Sequence, residues 1–328
     1  MKMKKRTFTA LAASCLLACV SPLAWGKAEV TLKLGHIANE QHSWHKGSLK
    51  FAEEVAKLTD GRIEVQVFPN DSLGKEIDLI NGMQLGTVDM TITGESLQNW
   101  SPKAALLAIP YAYQSLEYMD QVASGPIGKD IEADIIAKAQ VRPLTYFARG
   151  PRNLTANREI KTPDDLKAIK LRVPNVPLFV QTWKALGASP TPMAFSEVFT
   201  SLQNGTIDAQ ENPLSLIDSA TLYEVQKYVN QTEHVRSWIY LAISEITWNK
   251  LPEADQKALL EAAKTAQQYE REVFLADEAQ LQKTLEEKGM TFVPVDQKAF
   301  AEKAKTAVLE NAGKDIRPIV EKIFADHP

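Results

Sequence analysis

Residues 74–92 read GKEIDLINGMQLGTVDMTI, and residues 193–211 read MAFSEVFTSLQNGTIDAQE. Both run a helix-like segment into Gly-Thr-Val/Ile-Asp, at Gly86 to Asp89 and again at Gly205 to Asp208. A second echo lies upstream of each. Leu32-Lys33-Leu34 precedes Gly35-His36, and Ile169-Lys170-Leu171 precedes Arg172. A chain that writes one α/β unit twice is constrained to fold as two similar halves, each with its own sheet. Two such domains leave a cleft between them, where a small ligand is expected to sit.

The N-terminus reads as a targeting segment outside the fold. Lys2, Lys4, Lys5 and Arg6 are its charged region, and Thr7 to Val20 its apolar stretch, too short to span a bilayer. Pro22 and Ala24-Trp25-Gly26 suit a signal peptidase, so cleavage is expected near Gly26/Lys27 and the mature protein in the periplasm. A lipoprotein anchored through Cys19 is the rival reading. Both cysteines, Cys15 and Cys19, lie in this segment. A mature chain without cysteine has no disulfide, thiol catalysis or cysteine metal site. Loss of the segment's four positive charges takes the net charge from −4 to −8. An acidic surface argues against nucleic acid or an anionic membrane as partner.

Along the mature chain, Val30 to Leu34 alternates as a strand. Ser43 is placed as N-cap of a helix from Trp44 to Leu58, with Phe51, Val55 and Leu58 on its apolar face. Strands follow at Ile63 to Val67 and Val88 to Thr93, with a helix over Glu76 to Leu85 between them. The second half repeats the order. It has a strand from Ala168 to Val173 and a helix from Val176 to Leu186. A short edge strand runs from Ala188 to Met193, a helix capped by Ser196 runs through Gln203, and a strand spans Thr206 to Gln210. Pro252 to Lys288 carries one helical pattern, with proline at its start and Gly289 past its end. At ~55 Å it exceeds one small domain and is expected to brace both. The predicted division puts 27–149 and about 236–275 in domain I, and 150–235 and about 276–328 in domain II. Crossings are expected near 145–152 and 234–242.

Ligands of open α/β sheets bind beyond the carboxyl ends of the strands. That rule selects Gly35-His36 and Gly94-Glu95 in the first half, and Arg172 and Glu211-Asn212 in the second. Arg149 and Arg152 lie near the first crossing. Arginines converging on a cleft point to a carboxylate ligand, since a guanidinium fork matches two carboxylate oxygens. Arg149 reads more readily as a surface or inter-domain salt bridge. Glu95 would repel a carboxylate and so should face hydroxyls. Asn212 can donate and accept, and Phe195 can stack on a ligand or pack in the core. His36, His42 and His45 complete no metal-ligand pattern, and no cofactor is expected. No nucleophile motif or phosphate loop is present in the sequence, so a binding protein is favoured over an enzyme.

The runs LRVPNVP at 171–177 and GASPTPMAFSEVFTSLQNGTIDAQENPL at 187–214 resemble the solute-binding subunits of tripartite ATP-independent periplasmic (TRAP) transporters. GHIANEQHSWHKG, FPNDSLGKEIDLINGMQLGTVDM and EVQKYV agree, so the resemblance covers essentially the whole mature chain. It implies a two-domain α/β periplasmic binding protein with an inter-domain cleft and a long bracing helix. It further implies a monomer that captures an organic acid and hands it to TRAP membrane permease subunits. Arg172 then holds the ligand carboxylate, Arg152 is a second arginine, and Asn212, Phe195 and Glu95 complete the site. His36, with Asn39 and Trp44, forms the first domain's wall. Glu95 leans towards a polyhydroxylated acid such as a uronate or aldonate. A C4-dicarboxylate or sialate binder is the alternative, and a periplasmic enzyme acting on uronic acids is the alternative of a different class.

Overall fold

The computed structural model describes residues 28–326. The signal segment, both cysteines and the cleavage site near Gly26 lie outside the described residues. The first half forms β1 (Val30–Gly35), α1 (Ser43–Leu58), β2 (Ile63–Phe68), α2 (Glu76–Leu85) and β3 (Met90–Thr93), then α3 (Leu116–Ser124), α4 (Pro126–Ala139) and β4 (Val141–Phe147). The chain crosses over and forms β5 (Arg152–Ala156), β6 (Lys170–Val173), α5 (Pro177–Leu186), β7 (Ser189–Pro192), α6 (Val198–Gln203), β8 (Ala209–Pro213), α7 (Leu214–Ser219) and β9 (Tyr228–Val235). It returns through β10 (Ile239–Ser244) and α8 (Glu245–Trp248). It ends with α9 (Glu253–Glu287), β11 (Thr291–Val293), α10 (Gln297–Asn311) and α11 (Arg317–Asp326).

The strands make two sheets, ordered β2-β1-β3-β10-β4 and β11-β9-β5-β8-β6-β7. In each sheet the repeated unit pairs in parallel, β1 with β2 and β3, and β6 with β7 and β8. The strands flanking the crossings join antiparallel, β10 beside β3 and β4, β5 beside β8 and β9. Each sheet therefore contains one βαβαβ unit plus a strand from each crossing, the second sheet adding β11 at its edge beside β9, and the strand ends of both units converge on the gap between the lobes.

The Gly-Thr-Val/Ile-Asp repeat does one job twice. Gly86 and Gly205 both adopt φ +70, the left-handed conformation that ends a helix at no steric cost. The next two N–H groups fold back, Thr87 and Val88 to the Gly82 carbonyl, Thr206 and Ile207 to the Ser201 carbonyl. The aspartate then reaches sideways. Asp89 Oδ2 accepts the Lys33 N–H at 2.9 Å, and Asp208 Oδ2 accepts the Lys170 N–H at 2.9 Å. Strand pairing begins one residue later, with Met90 opposite Leu34 and Ala209 opposite Leu171. The sequence therefore places these strands too early. The one expected from Thr206 runs from Ala209 to Pro213, and the one expected from Val88 starts at Met90, because Thr-Val/Ile closes the helix.

Two caps also differ from expectation. His42, not Ser43, caps α1, its Nδ1 accepting the Trp44 N–H, while Ser43 Oγ donates to Glu270. Ser196 lies inside a 3-10 turn (Phe195–Glu197) that leads into α6, so it caps nothing. Phe51 and Val55 of α1 are fully buried, whereas Leu58 lies at the exposed edge. Each full burial of this kind contributes roughly 1.5–3 kcal/mol.

α9 is one unbroken helix of 35 residues, about 52 Å long. Leu259, Ala262 and Ala266 enter the core beneath the first sheet, and Leu281 and Leu285 enter the core of the second lobe. The helix thus clamps both lobes from behind the crossings. No helix among the described residues is long and apolar enough to cross a membrane.

Candidate binding cleft

The lobes face each other across a cleft of about 310 Å³, lined by Trp44, Glu76 and Glu95 from one side and by Arg172, Phe195 and Asn212 from the other. Arg149 and Arg152, at the first crossing, form its back. The strand-end rule accounts for the placement. Arg172 is the third residue of the four-residue β6, and Asn212 is the fourth of β8. Glu95 opens the 3-10 turn after β3.

Two of the three arginines are already partnered. Arg152 grips Glu211 with Nε at 2.5 Å and Nη2 at 2.8 Å, and its Nη2 also donates to the Glu211 carbonyl at 2.8 Å. His234 Nε2 sits 2.8 Å from Glu211 Oε2, the oxygen that Arg152 Nε also holds. Burial opposes ionisation of Glu211, but the Arg152 charge prevails and holds its carboxyl at about 2. Arg149 pairs closely with Glu95 and donates to Ser237 Oγ at 2.7 Å. Arg152 Nη1 lies 3.5 Å from the other Glu95 oxygen. Burial again opposes the charge on Glu95, and Arg149 and then Arg152 keep it below the ordinary carboxylate range.

Arg172 is different. It is 3% exposed, and its Nε and Nη2 donate only to the Met193 carbonyl, at 3.1 and 2.7 Å. Its guanidinium lies 5.9 Å from the Phe195 ring centre. Among the described residues no carboxylate forms a salt bridge with it. Burial therefore lowers its pKa to about 10, with Glu211 as the strongest counteracting charge. A buried cation without a counter-ion is costly unless an anion arrives from outside.

The expected site residues divide as follows. Arg172, Arg152, Asn212, Glu95 and Phe195 all line the cleft. His36 does not. It is fully buried behind the wall, its Nε2 3.1 Å from His45 Nδ1, and burial followed by the His45 charge lowers its pKa to about 3. Its ring packs instead against His45 of α1. Asn39 also misses the cleft and ties the lobes together, donating from its backbone N–H to Ser219 Oγ and from Nδ2 to the Ser219 carbonyl. Arg149, read from sequence as a surface or inter-domain pair, is a cleft residue, buried and paired. Glu76 and Lys75, at the start of α2, also line the cleft and carried no sequence signal.

The lobes touch across the mouth. Lys75 Nζ meets Glu197 Oε1 at 2.6 Å, Asn99 Nδ2 donates to the Asn175 carbonyl at 2.7 Å, and the Leu178 N–H donates to Gln98 Oε1 at 3.1 Å. In each, one partner comes from the first lobe and one from the second.

Residues 34–315 match the model of the family described as bacterial extracellular solute-binding protein, family 7. The chain belongs to that family. A solute-binding protein of Roseobacter denitrificans is 66% identical over 324 residues, spanning 98% of this chain and all of the relative. The crystal structure of that TRAP periplasmic solute-binding protein, with bound L-galactonate, superposes with a TM-score of 0.90 at 69% identity, covering 91% of this chain and 99% of the other. The 2,3-diketo-L-gulonate-binding periplasmic protein YiaO of Escherichia coli is 31% identical over 96% of both chains. A TRAP periplasmic solute-binding protein of Haemophilus influenzae with bound L-gulonate has a TM-score of 0.85 at 33% identity, covering 90% and 99%. The TRAP family implied by the LRVPN and QENP motifs is thereby established, as is the two-lobed α/β architecture.

Proposed function

We propose that this protein captures an open-chain sugar acid of the L-galactonate type and delivers it to a TRAP membrane permease. One observation carries the reading. Arg172 is a buried guanidinium with no carboxylate of its own, in a cleft whose other polar groups suit hydroxyls. On this reading the ligand carboxylate takes the Arg172 fork against the face of Phe195. Asn212 adds a polar contact, and Glu95, Arg149 and Arg152 read the hydroxyls. The relatives that bind L-galactonate and L-gulonate support this choice over a C4-dicarboxylate.

In this reading the protein acts as a monomeric clamp. Domain I comprises 27–149 and about 236–275, and domain II 150–235 and about 276–328, with α9 spanning both. The segments at 148–151 and 236–238 are the hinges. Ligand shifts the open–closed equilibrium by the contacts available only when the lobes meet. We also place the mature protein in the periplasm after cleavage near Gly26/Lys27, and assign it no catalysis.

Calorimetry with L-galactonate, L-gulonate, galacturonate and succinate tests the proposal. Micromolar or tighter binding, about 8 kcal/mol or more, is expected for the aldonates and not for succinate. Tight succinate binding with no response to sugar acids, or turnover of any of these acids, would overturn it.

A further inference from the structure

Among the described residues, Glu76 is the one cleft carboxylate that is partly shielded yet lacks a salt-bridged cation. Glu95 is paired with Arg149 and Arg152, and Glu211 with Arg152. Asp78 sits at the exposed rim. Glu76, by contrast, receives the Thr93 hydroxyl at 2.7 Å and forms no salt bridge among the described residues. Lys75, beside it in sequence, is turned away to Glu197. The Glu76 charge nonetheless acts on all three arginines. Burial and then the neighbouring Glu95 push its carboxyl above the ordinary range, as for an anion short of compensation.

The three arginines thus face three glutamates, and a ligand carboxylate on Arg172 makes the cleft net negative by one charge. Hydroxyls can donate to Glu76 at the ligand's far end, whereas a second carboxylate there would meet uncompensated like charge in a poorly solvated space. Resting on the sugar-acid reading above, we propose that Glu76 is a specificity-determining residue that restricts the cleft to monoanionic polyhydroxy acids and rejects their dianionic counterparts. Repulsion of the wrong ligand, as much as attraction of the right one, sets such a preference.

The test compares L-galactonate with galactarate, which has the same carbon chain and hydroxyl configuration but a carboxylate at each end. The wild type is expected to bind L-galactonate at least 100-fold more tightly at pH 8. Glu76→Gln should keep L-galactonate within about tenfold and shrink the gap at least tenfold. A wild-type measurement serves should the variant fold poorly. Thr93, Ser96, Glu95, Arg149, Arg152 and Arg172 face Glu76. Of these, Glu95 is held ionised and the arginines stay protonated, so Glu76 is the group that titrates among them. Discrimination should therefore narrow from pH 8 to pH 5. An unchanged ratio in folded Glu76→Gln, or equal binding of both acids by the wild type, overturns the inference and leaves the sugar-acid function standing. Failure of the wild type to bind any aldonate or hexuronate removes that function, and this inference with it.

Discussion

Arg172 and Arg152 look alike in the sequence, yet the structure gives their replacement opposite consequences. Arg172 is buried with only a carbonyl as partner, and its pKa falls from 12.5 to about 10. Near neutral pH the group is charged in both folded and unfolded chains, so the whole penalty, about 3 kcal/mol, bears on the unliganded fold. Arg172→Ala removes that cost along with the Met193 bonds and some packing. The unliganded protein should then melt within about 2 °C of wild type, equivalent to roughly 1 kcal/mol or less. Binding should suffer badly. Truncating one member of a buried, hydrogen-bonded charge pair costs about 2–5 kcal/mol, on the order of a 30- to 5,000-fold loss of affinity. Arg172→Lys should recover little, because an ammonium cannot reproduce the fork. Arg152→Ala strands Glu211 in the interior and should destabilise the unliganded protein by about 3–5 kcal/mol. Calorimetry with L-galactonate and thermal denaturation without ligand give both readouts. Binding by Arg172→Ala within threefold of wild type would refute the carboxylate assignment. An unliganded Arg152→Ala as stable as wild type would refute the charge balance drawn for the cleft.

Three further outcomes follow from geometry. Glu270 of α9 accepts from Ser43 Oγ at 2.8 Å and from the Ala148 N–H at 3.1 Å, and burial raises its pKa from 4.5 to about 7. Because the folded value lies above the unfolded one, stability falls as pH rises from about 4.5 to about 7. Glu270→Gln should therefore stabilise the protein by up to about 3 kcal/mol at pH 8 and not at pH 4.5, as read by denaturation at both pH values. Asp89→Ala and Asp208→Ala should each cost about 1 kcal/mol and selectively speed hydrogen exchange at the Lys33 and Lys170 amides. Lys75→Ala removes a bridge across the mouth whose two side chains are 47% and 48% exposed. It should accelerate L-galactonate release by no more than about fivefold in stopped-flow measurements, and the effect should vanish in 1 M salt.

Fold and site were legible to different depths. The βαβαβ order and the unbroken α9 followed from periodicity, proline and glycine placement, because those signals are local. The start of β8 did not, since Gly205-Thr206-Ile207 has strand-like residues whose N–H groups belong to the preceding helix. The strand-end rule placed Arg172, Asn212 and Glu95 at the cleft that they line, as it depends only on topology. It also selected His36, which does not line the cleft because its ring packs against His45 of α1. Glu76 carried no sequence signal, and Arg149 read more readily as a salt bridge than as a residue lining the cleft. What distinguishes them is the partner each finds on a distant segment, Glu95 and Ser237 for Arg149 and Thr93 for Glu76, information that no spacing within one segment contains.

The duplication also explains why the site is polar along its length. Matching the two repeats through Lys33 and Lys170, whose N–H groups bond to equivalent aspartates, sets Gly35 opposite Arg172. A Cβ at Gly35 would lie 2.9 Å from a Leu79 methyl and 3.2 Å from Leu73 Cβ, so a side chain there would require its neighbours to shift. The second lobe uses the same strand-end position for its uncompensated cation, while the first lobe contributes Glu76, a carboxylate with no salt bridge among the described residues. Two halves with one backbone plan therefore present opposite charge to the gap. On the proposed reading this fixes ligand direction, with the carboxylate towards the second lobe and the hydroxyl tail towards the first. A crystal structure with L-galactonate reversed, its carboxylate against Glu76, would show that the asymmetry of the repeats does not orient the ligand.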